Sequence, residues 1–223
     1  MNKLLLLLTI LSTWGCGQKQ QGSSMLDIKK HEVFSTTKAQ PDASESRSTW
    51  QKPELVLDKL GDLQGKVVAD IGAGTGYFAY RLAFRGATVI ALDVDEAMIS
   101  LMTDFRENLP ADIQSHITPK LVPADDPSLA AQEVDYAIII NTIGYISDKS
   151  AYLSLLRQGT KPGGKVVIVD YKNRDLNIPA PPMSERVAIG VLQEALRDAG
   201  YVDIAVDDSS LDYQYIVTAT VPQ

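Results

Sequence analysis

Only one cysteine and two histidines occur among 223 residues, so a disulfide framework, a structural zinc centre or an iron–sulfur cluster has no ligand set to draw on. Any metal chemistry would rest on carboxylates alone. Basic residues are outnumbered, 21 Lys+Arg against 28 Asp+Glu, for a formal charge of −7. That balance offers no broad basic surface to displace counterions from a phosphate backbone, which argues against nucleic acid as a partner. No apolar run approaches the roughly 20 residues that a membrane-crossing helix needs. The length and the 45% hydrophobic share suit one ordinary domain with an appended tail, and are too little for two full domains.

What is present begins with a leader-like pattern. Met1-Asn2-Lys3 is a positively charged start, Leu4 to Leu11 an apolar stretch, and Ser12 to Cys16 mostly small residues near a cut site, the layout of an export signal. Cys16 follows Gly15 directly, which resembles a bacterial lipoprotein box. The resemblance implies lipidation of Cys16 and anchoring to a membrane of a bacterial envelope, with residues 1–16 as the leader. Thr13 and Trp14 stand where that pattern has an aliphatic and a small residue; a leader that fails would leave the protein in the cytoplasm. Residues 17–49 read as a Gln/Gly/Ser-rich tether passing into a mixed polar segment, and residues 50–223 as the folded domain.

From Trp50 onward, helix-like and strand-like segments alternate. The pattern predicts an α/β fold: a doubly wound, mostly parallel seven-stranded sheet with helices on both faces. A short helix is expected over 53–60, strands over 66–70, 87–93, 117–122, 134–140 and 165–170, and helices over 75–84, 96–108, 151–158 and 184–199. Lys161-Pro162-Gly163-Gly164 reads as the turn into the fifth strand. Strands one, two, four and five are near-continuous runs of Val, Ile, Leu and Ala, the mark of strands buried on both faces, and should be central. Segments 202–206 and 213–221 are too close for a parallel crossover, so they form a C-terminal antiparallel hairpin.

Between the first strand and its helix stands Asp70-Ile71-Gly72-Ala73-Gly74-Thr75-Gly76. This is where an open α/β sheet binds ligands, and glycine lets backbone approach a ligand that a Cβ would exclude. A dinucleotide loop would place its third glycine three positions after Gly74, where Tyr77 stands, and no Gly-Lys-Ser/Thr ending is present to cradle a triphosphate. The D-x-G-x-G-x-G spacing resembles motif I of the class I S-adenosylmethionine-dependent methyltransferases. The resemblance implies a Rossmann-like fold and S-adenosyl-L-methionine as cofactor, held by Asp70, Gly72, Ala73, Gly74 and Gly76. It further implies that Asp93, ending the second strand, grips the two ribose hydroxyls with Val94 beside it, because a carboxylate accepts from both hydroxyls of a cis diol. Asp125 and Asp126 resemble the family's adenine-binding segment, where one acid accepts the adenine amino group. Asn141 and Thr142 match the loop lining the methyl-donor pocket. Trp50-Gln51-Lys52-Pro53 ahead of the motif is similar to a bacterial subgroup of the family.

Methyl transfer leaves the hard chemistry to the cofactor, so a catalytic motif need not be visible. Candidates lie at the carboxyl ends of strands four and five: Tyr145 and Tyr171, with Asp170 and Lys172 beside the latter. His31 and His116 fall away from the expected pocket. Trp50 and Tyr77 are candidate stacking aromatics, and the segment from Lys172 to Pro182 is long enough to cap an acceptor site. The resulting expectation is a methyltransferase acting on an unidentified small-molecule acceptor. The alternatives are a non-catalytic protein binding an adenosine-like ligand, and a nicotinamide-dependent oxidoreductase.

Overall fold

The computed structural model describes residues 47–223; the leader, Cys16 and His31 lie outside them. A helical turn over 47–51 leads into α1 (Pro53–Asp58), followed by β1 (Val67–Ile71), α2 (Tyr77–Phe84), β2 (Thr88–Asp93), α3 (Glu96–Glu107), α4 (Ala111–Gln114) and β3 (Ile117–Leu121). Then come β4 (Val134–Ile140), a 3-10 turn (Ile143–Tyr145), α5 (Lys149–Gly159), β5 (Thr160–Tyr171), a second 3-10 turn (Met183–Glu185), α6 (Ile189–Asp198), β6 (Val202–Asp207) and β7 (Gln214–Thr220).

The seven strands lie in the order β3-β2-β1-β4-β5-β7-β6. All neighbours are parallel except at β7, which runs antiparallel to both β5 and β6. The hairpin therefore folds back so that its second strand docks on β5 and its first becomes the edge. Side chains alternate between two apolar layers, as the period-two geometry of strands requires. Ile138, Ile140, Val167 and Val169 face Leu57, Phe78, Leu82 and Met102 on one side; Ala137, Ile139, Val166 and Ile168 face Leu153, Leu156, Leu192 and Leu196 on the other. Double burial explains why these strands are apolar runs. Pro119 lies in β3, at the sheet edge, where a missing N–H costs no second ladder.

Several boundaries differ from the sequence pattern, three of them for a visible reason. Lys161 to Gly164 does not precede β5 but belongs to it, because Gly163 N–H donates to Val221 O and Val221 N–H to Gly164 O (2.9 and 2.8 Å), extending the ladder to β7. The last helix begins at Ile189, five residues late: Val187 is buried, and its carbonyl accepts from the Tyr215 hydroxyl (2.7 Å), which pins an extended stretch to the sheet. Helix α2 begins at Tyr77 rather than Thr75, since Gly76 is left-handed at φ 90.

The chain runs outward from β1 through β2 to β3, then returns to start again at β4, so the strand order reverses between β1 and β4. A crevice opens outside the carboxyl ends of strands at such a reversal. Ile139, fully buried in β4, tests how far this central strand carries the fold: Ile139→Ala should lower unfolding free energy by about 2–5 kcal/mol with an unchanged urea slope, as cavity-forming core truncations do.

Candidate functional site

At the end of β1 the backbone turns through three left-handed glycines, Gly72, Gly74 and Gly76. Gly72 and Ala73 both donate to Leu92 O (2.8 and 2.9 Å), bending the loop towards β2. A Cβ on Gly72 would collide with the Thr142 side chain beyond β4, so this glycine is where the exits of β1 and β4 close on each other. Gly74 N–H donates to Asp93 Oδ2 (2.7 Å) and Asp95 N–H to Asp93 Oδ1 (3.0 Å). The Asp93 carboxylate, 8% exposed, thereby fastens the loop to β2. A carboxylate has about four acceptor positions, so two remain for a ligand.

Two adjoining cavities flank this loop. One of about 300 Å³ is lined by Gly72, Asp93, Val94, Val122, Asn141 and Tyr145 among others. The second, about 230 Å³, is lined by Arg47, Asp70, Ala73, Gly74, Tyr77 and Asn141 among others. Gly72, Asn141 and Thr142 are common to both and form the wall where they meet. A larger cleft of about 350 Å³ around Lys172, Arg174 and Tyr215 contains none of the glycine-loop residues.

Asp70 is buried and its Oδ2 has no hydrogen-bond partner. Burial, reinforced by the neighbouring Asp93 charge, pushes its carboxyl up to about 7, against the pull of the Ala79 N–H and Arg47. Burial lowers the Arg47 guanidinium, which lies 4.3 Å from the centre of the Tyr77 ring; Arg81 lies 3.8 Å from the same centre.

A chain of amides ties Arg47 to the shared wall. Arg47 Nε donates to Gln51 Oε1 (2.7 Å), and Gln51 Nε2 donates to Gln214 Oε1 (2.9 Å) and to Asn141 Oδ1 (3.4 Å). Gln214 Nε2 also donates to Asn141 Oδ1. Gln51 and Gln214 are fully buried, and Asn141 is left-handed at φ 59. The pattern of the sequence does not single out Arg47, Gln51 or Gln214 as site residues. Two signals were available: Arg47 and Gln51 are four apart on one helical face, and Gln214 is a polar residue opening an apolar run.

The predicted residues divide between the cavities and their surroundings. Asp70, Gly72, Ala73, Gly74, Asp93, Val94 and Asn141 line the cavities, and Tyr145 stands at the mouth, 63% exposed. Gly76, Asp125, Asp126 and Tyr171 line neither. A Cβ on Gly76 would fall 2.6 Å from the Tyr80 ring, which accounts for this glycine by packing. The cavity wall ends at Ala124; Asp125 and Asp126 are exposed, and Asp126 Oδ1 accepts from Ser128 N–H (2.6 Å). Tyr171 is buried against Trp50, with ring centres 6.1 Å apart, and burial raises its phenol. Asp170, its Oδ1 taken by Tyr171 N–H, is pushed by burial up to about 6. The Lys172–Pro182 segment lines neither cavity; Arg186 closes it by donating to Pro181 O, Lys172 O and Arg174 O. His116, held against Ala87 O, lies outside both cavities too.

Residues 69–166 match the methyltransferase domain family. Among curated proteins, the chain is similar to the tRNA U34 carboxymethyltransferase of Klebsiella pneumoniae, 25% identical over 177 residues covering 74% of this chain and 52% of that protein. The chain thus spans about half the length of this relative. Among solved structures, a SAM-dependent methyltransferase from Aquifex aeolicus superposes with a TM-score of 0.70 at 25% identity, over 79% of this chain and 93% of that one. Phosphoethanolamine N-methyltransferase 2 of Haemonchus contortus, solved with S-adenosyl-L-methionine, shares the fold at a TM-score of 0.63 and 17% identity, over 78% of this chain and 53% of its own.

Asp70 binds its proton more tightly folded than unfolded, so unfolding releases that proton between the ordinary carboxylate range and about 7. Stability from this group is therefore greatest below that window and declines as pH rises through it. Asp70→Asn should flatten the decline; urea unfolding at about pH 5 and about pH 8 measures it, and an unaltered difference between the two would contradict the assignment.

Proposed function

With a class I S-adenosylmethionine-dependent methyltransferase domain at its core, the chain is, we propose, an enzyme that moves a methyl group from S-adenosyl-L-methionine to a small-molecule acceptor. The observation that carries this reading is the pairing of the two cavities at one wall. One holds a carboxylate with two acceptor positions left beside an apolar flank of Val94 and Val122; the other holds a guanidinium and an unpartnered buried carboxyl. A ligand with a cis diol and a flat ring at one end and an amino acid at the other matches both.

When bound, the cofactor supplies a methyl group made electrophilic by a sulfonium, and the protein's work is to hold and orient. Asp93 would accept from the ribose hydroxyls while keeping its bonds to Gly74 and Asp95. Val94 would pack on the adenine. Arg47 would pair with the carboxylate of the methionyl end, and Asp70 with its ammonium, an ion pair that favours the ionised form of Asp70 over the neutral form burial prefers. Gly72 keeps the shared wall thin. Tyr145 at the mouth stands where an acceptor enters, and the net charge of −7 favours a small acceptor over a nucleic acid.

Calorimetry with S-adenosylhomocysteine tests the donor site. Asp93→Ala should weaken binding by roughly tenfold or more, the scale of about 1.4 kcal/mol or greater. Arg47→Met should weaken S-adenosylhomocysteine by about tenfold and leave 5′-methylthioadenosine, which lacks the amino-acid end, unchanged; equal loss for both would remove Arg47 from the carboxylate. The leader-like start and Cys16 support an envelope location. Metabolic labelling with a palmitate analogue should mark the wild type and not Cys16→Ser, and an unlabelled wild type refutes the anchor.

A further inference from the structure

The shared wall of Gly72, Asn141 and Thr142 is, on the donor reading above, where the adenosyl and methionyl halves join, so an acceptor must approach the methyl group there. The polar hydrogens of its side chains are therefore informative. Gly72 has no side chain. Thr142 Oγ1 donates its hydrogen to Ile140 O at 3.0 Å.

The orientation of Asn141 follows from a residue that can only donate. Arg47 has no acceptor, so the Gln51 atom it meets must be the carbonyl oxygen, which turns the Gln51 amino group towards Gln214 and Asn141. Gln214 then receives on its oxygen and donates from its nitrogen, again to Asn141 Oδ1. Both lone pairs of that oxygen are taken. Asn141 Nδ2 makes no hydrogen bond to any described residue, and it is not one of the unpartnered polar atoms sealed inside the protein.

We propose that Asn141 Nδ2 selects an acceptor that arrives as an oxyanion, a carboxylate or an ionised phenol, and holds its oxygen at the shared wall. This inference rests on the donor reading. An amine would need an acceptor to orient its N–H groups, and Asn141 has spent its own on two glutamines. An oxyanion has no proton to shed. Its oxygen forms the bond to the methyl carbon as the carbon–sulfur bond breaks, that electron pair stays on sulfur, and the two opposite charges cancel without a base. Gln51 and Gln214 are positioning residues, acting through Asn141, and Arg47 Nε fixes which way Gln51 faces.

The test uses the full chain saturated with S-adenosylhomocysteine and labelled with nitrogen-15, the side-chain amide of Asn141 being assigned by its loss in Asn141→Asp. Benzoate or 4-nitrophenolate should move that resonance and bind roughly tenfold tighter than benzylamine. A shift with benzoate alone identifies a carboxylate acceptor, and one with 4-nitrophenolate alone a phenol. Asn141→Asp, which presents an acceptor in place of the donor, should reverse the preference by roughly tenfold, read on protein kept saturated with S-adenosylhomocysteine. Gln51→Met should lose part of the preference because the amide is no longer locked. A response to benzylamine alone, to none of the three, or an unchanged ranking in Asn141→Asp overturns the oxyanion assignment. Failure of S-adenosylhomocysteine to bind is a separate result, which removes the donor reading and the inference with it.

Discussion

The carboxylate of Asp93 is the fastening on which the site depends. By accepting from Gly74 on one oxygen and Asp95 on the other, it joins the loop after β1 to the turn after β2. Loop shape and ligand grip are therefore not separate properties. The acid that would clasp a sugar is also the one that keeps the glycines bent, and burial makes each of these charge-assisted bonds stronger than a neutral one. The same constraint acts on Asp70, whose ionisation is disfavoured by burial and further by the charge of Asp93. Two acids of similar sequence context thus diverge: one anchors the backbone, and the other keeps an unpartnered oxygen beside a cavity.

Much of this arrangement was legible in the sequence. Val67–Ile71, Thr88–Asp93 and Val134–Ile140 announce themselves because a strand covered on both faces has no need of polar alternation, and the Asp70–Gly76 loop falls at the one place in an α/β sheet where such a loop has work to do. The late start of α6 was not legible, since the helical pattern of 184–199 competes with a pull that comes from Tyr215, 28 residues beyond Val187. Nor was the loss of the Lys161–Gly164 turn, because its hydrogen bonds are made by Val221. Local signals predict local structure, and tertiary partners override them.

The amide chain was invisible for the same reason in stronger form. Gln51 and Gln214 are 163 positions apart, and Gln51 and Asn141 are 90 apart. Nothing in either neighbourhood marks these residues as partners. They become a site only because β7 inserts beside β5 and places Gln214 opposite Tyr171 in the register, next to the exit of β4. Asp125 and Asp126 show the converse: a motif-like acidic pair that ends up in solvent, with Asp126 engaged in its own turn.

The meeting of the first and last described segments also orders events in time. Lys52 reaches Ser210 O, Lys59 pairs with Asp207, and Gln51 bonds Gln214, so the wall around Asn141 is built from both ends of the domain. A polypeptide emerging from a ribosome has its glycine loop long before it has β7. Until residue 214 is out, Asn141 lacks half of what holds it, and the pocket stays unfinished. Ligand competence thus waits for β7, which keeps a nascent chain from taking up a cofactor before the sheet is closed.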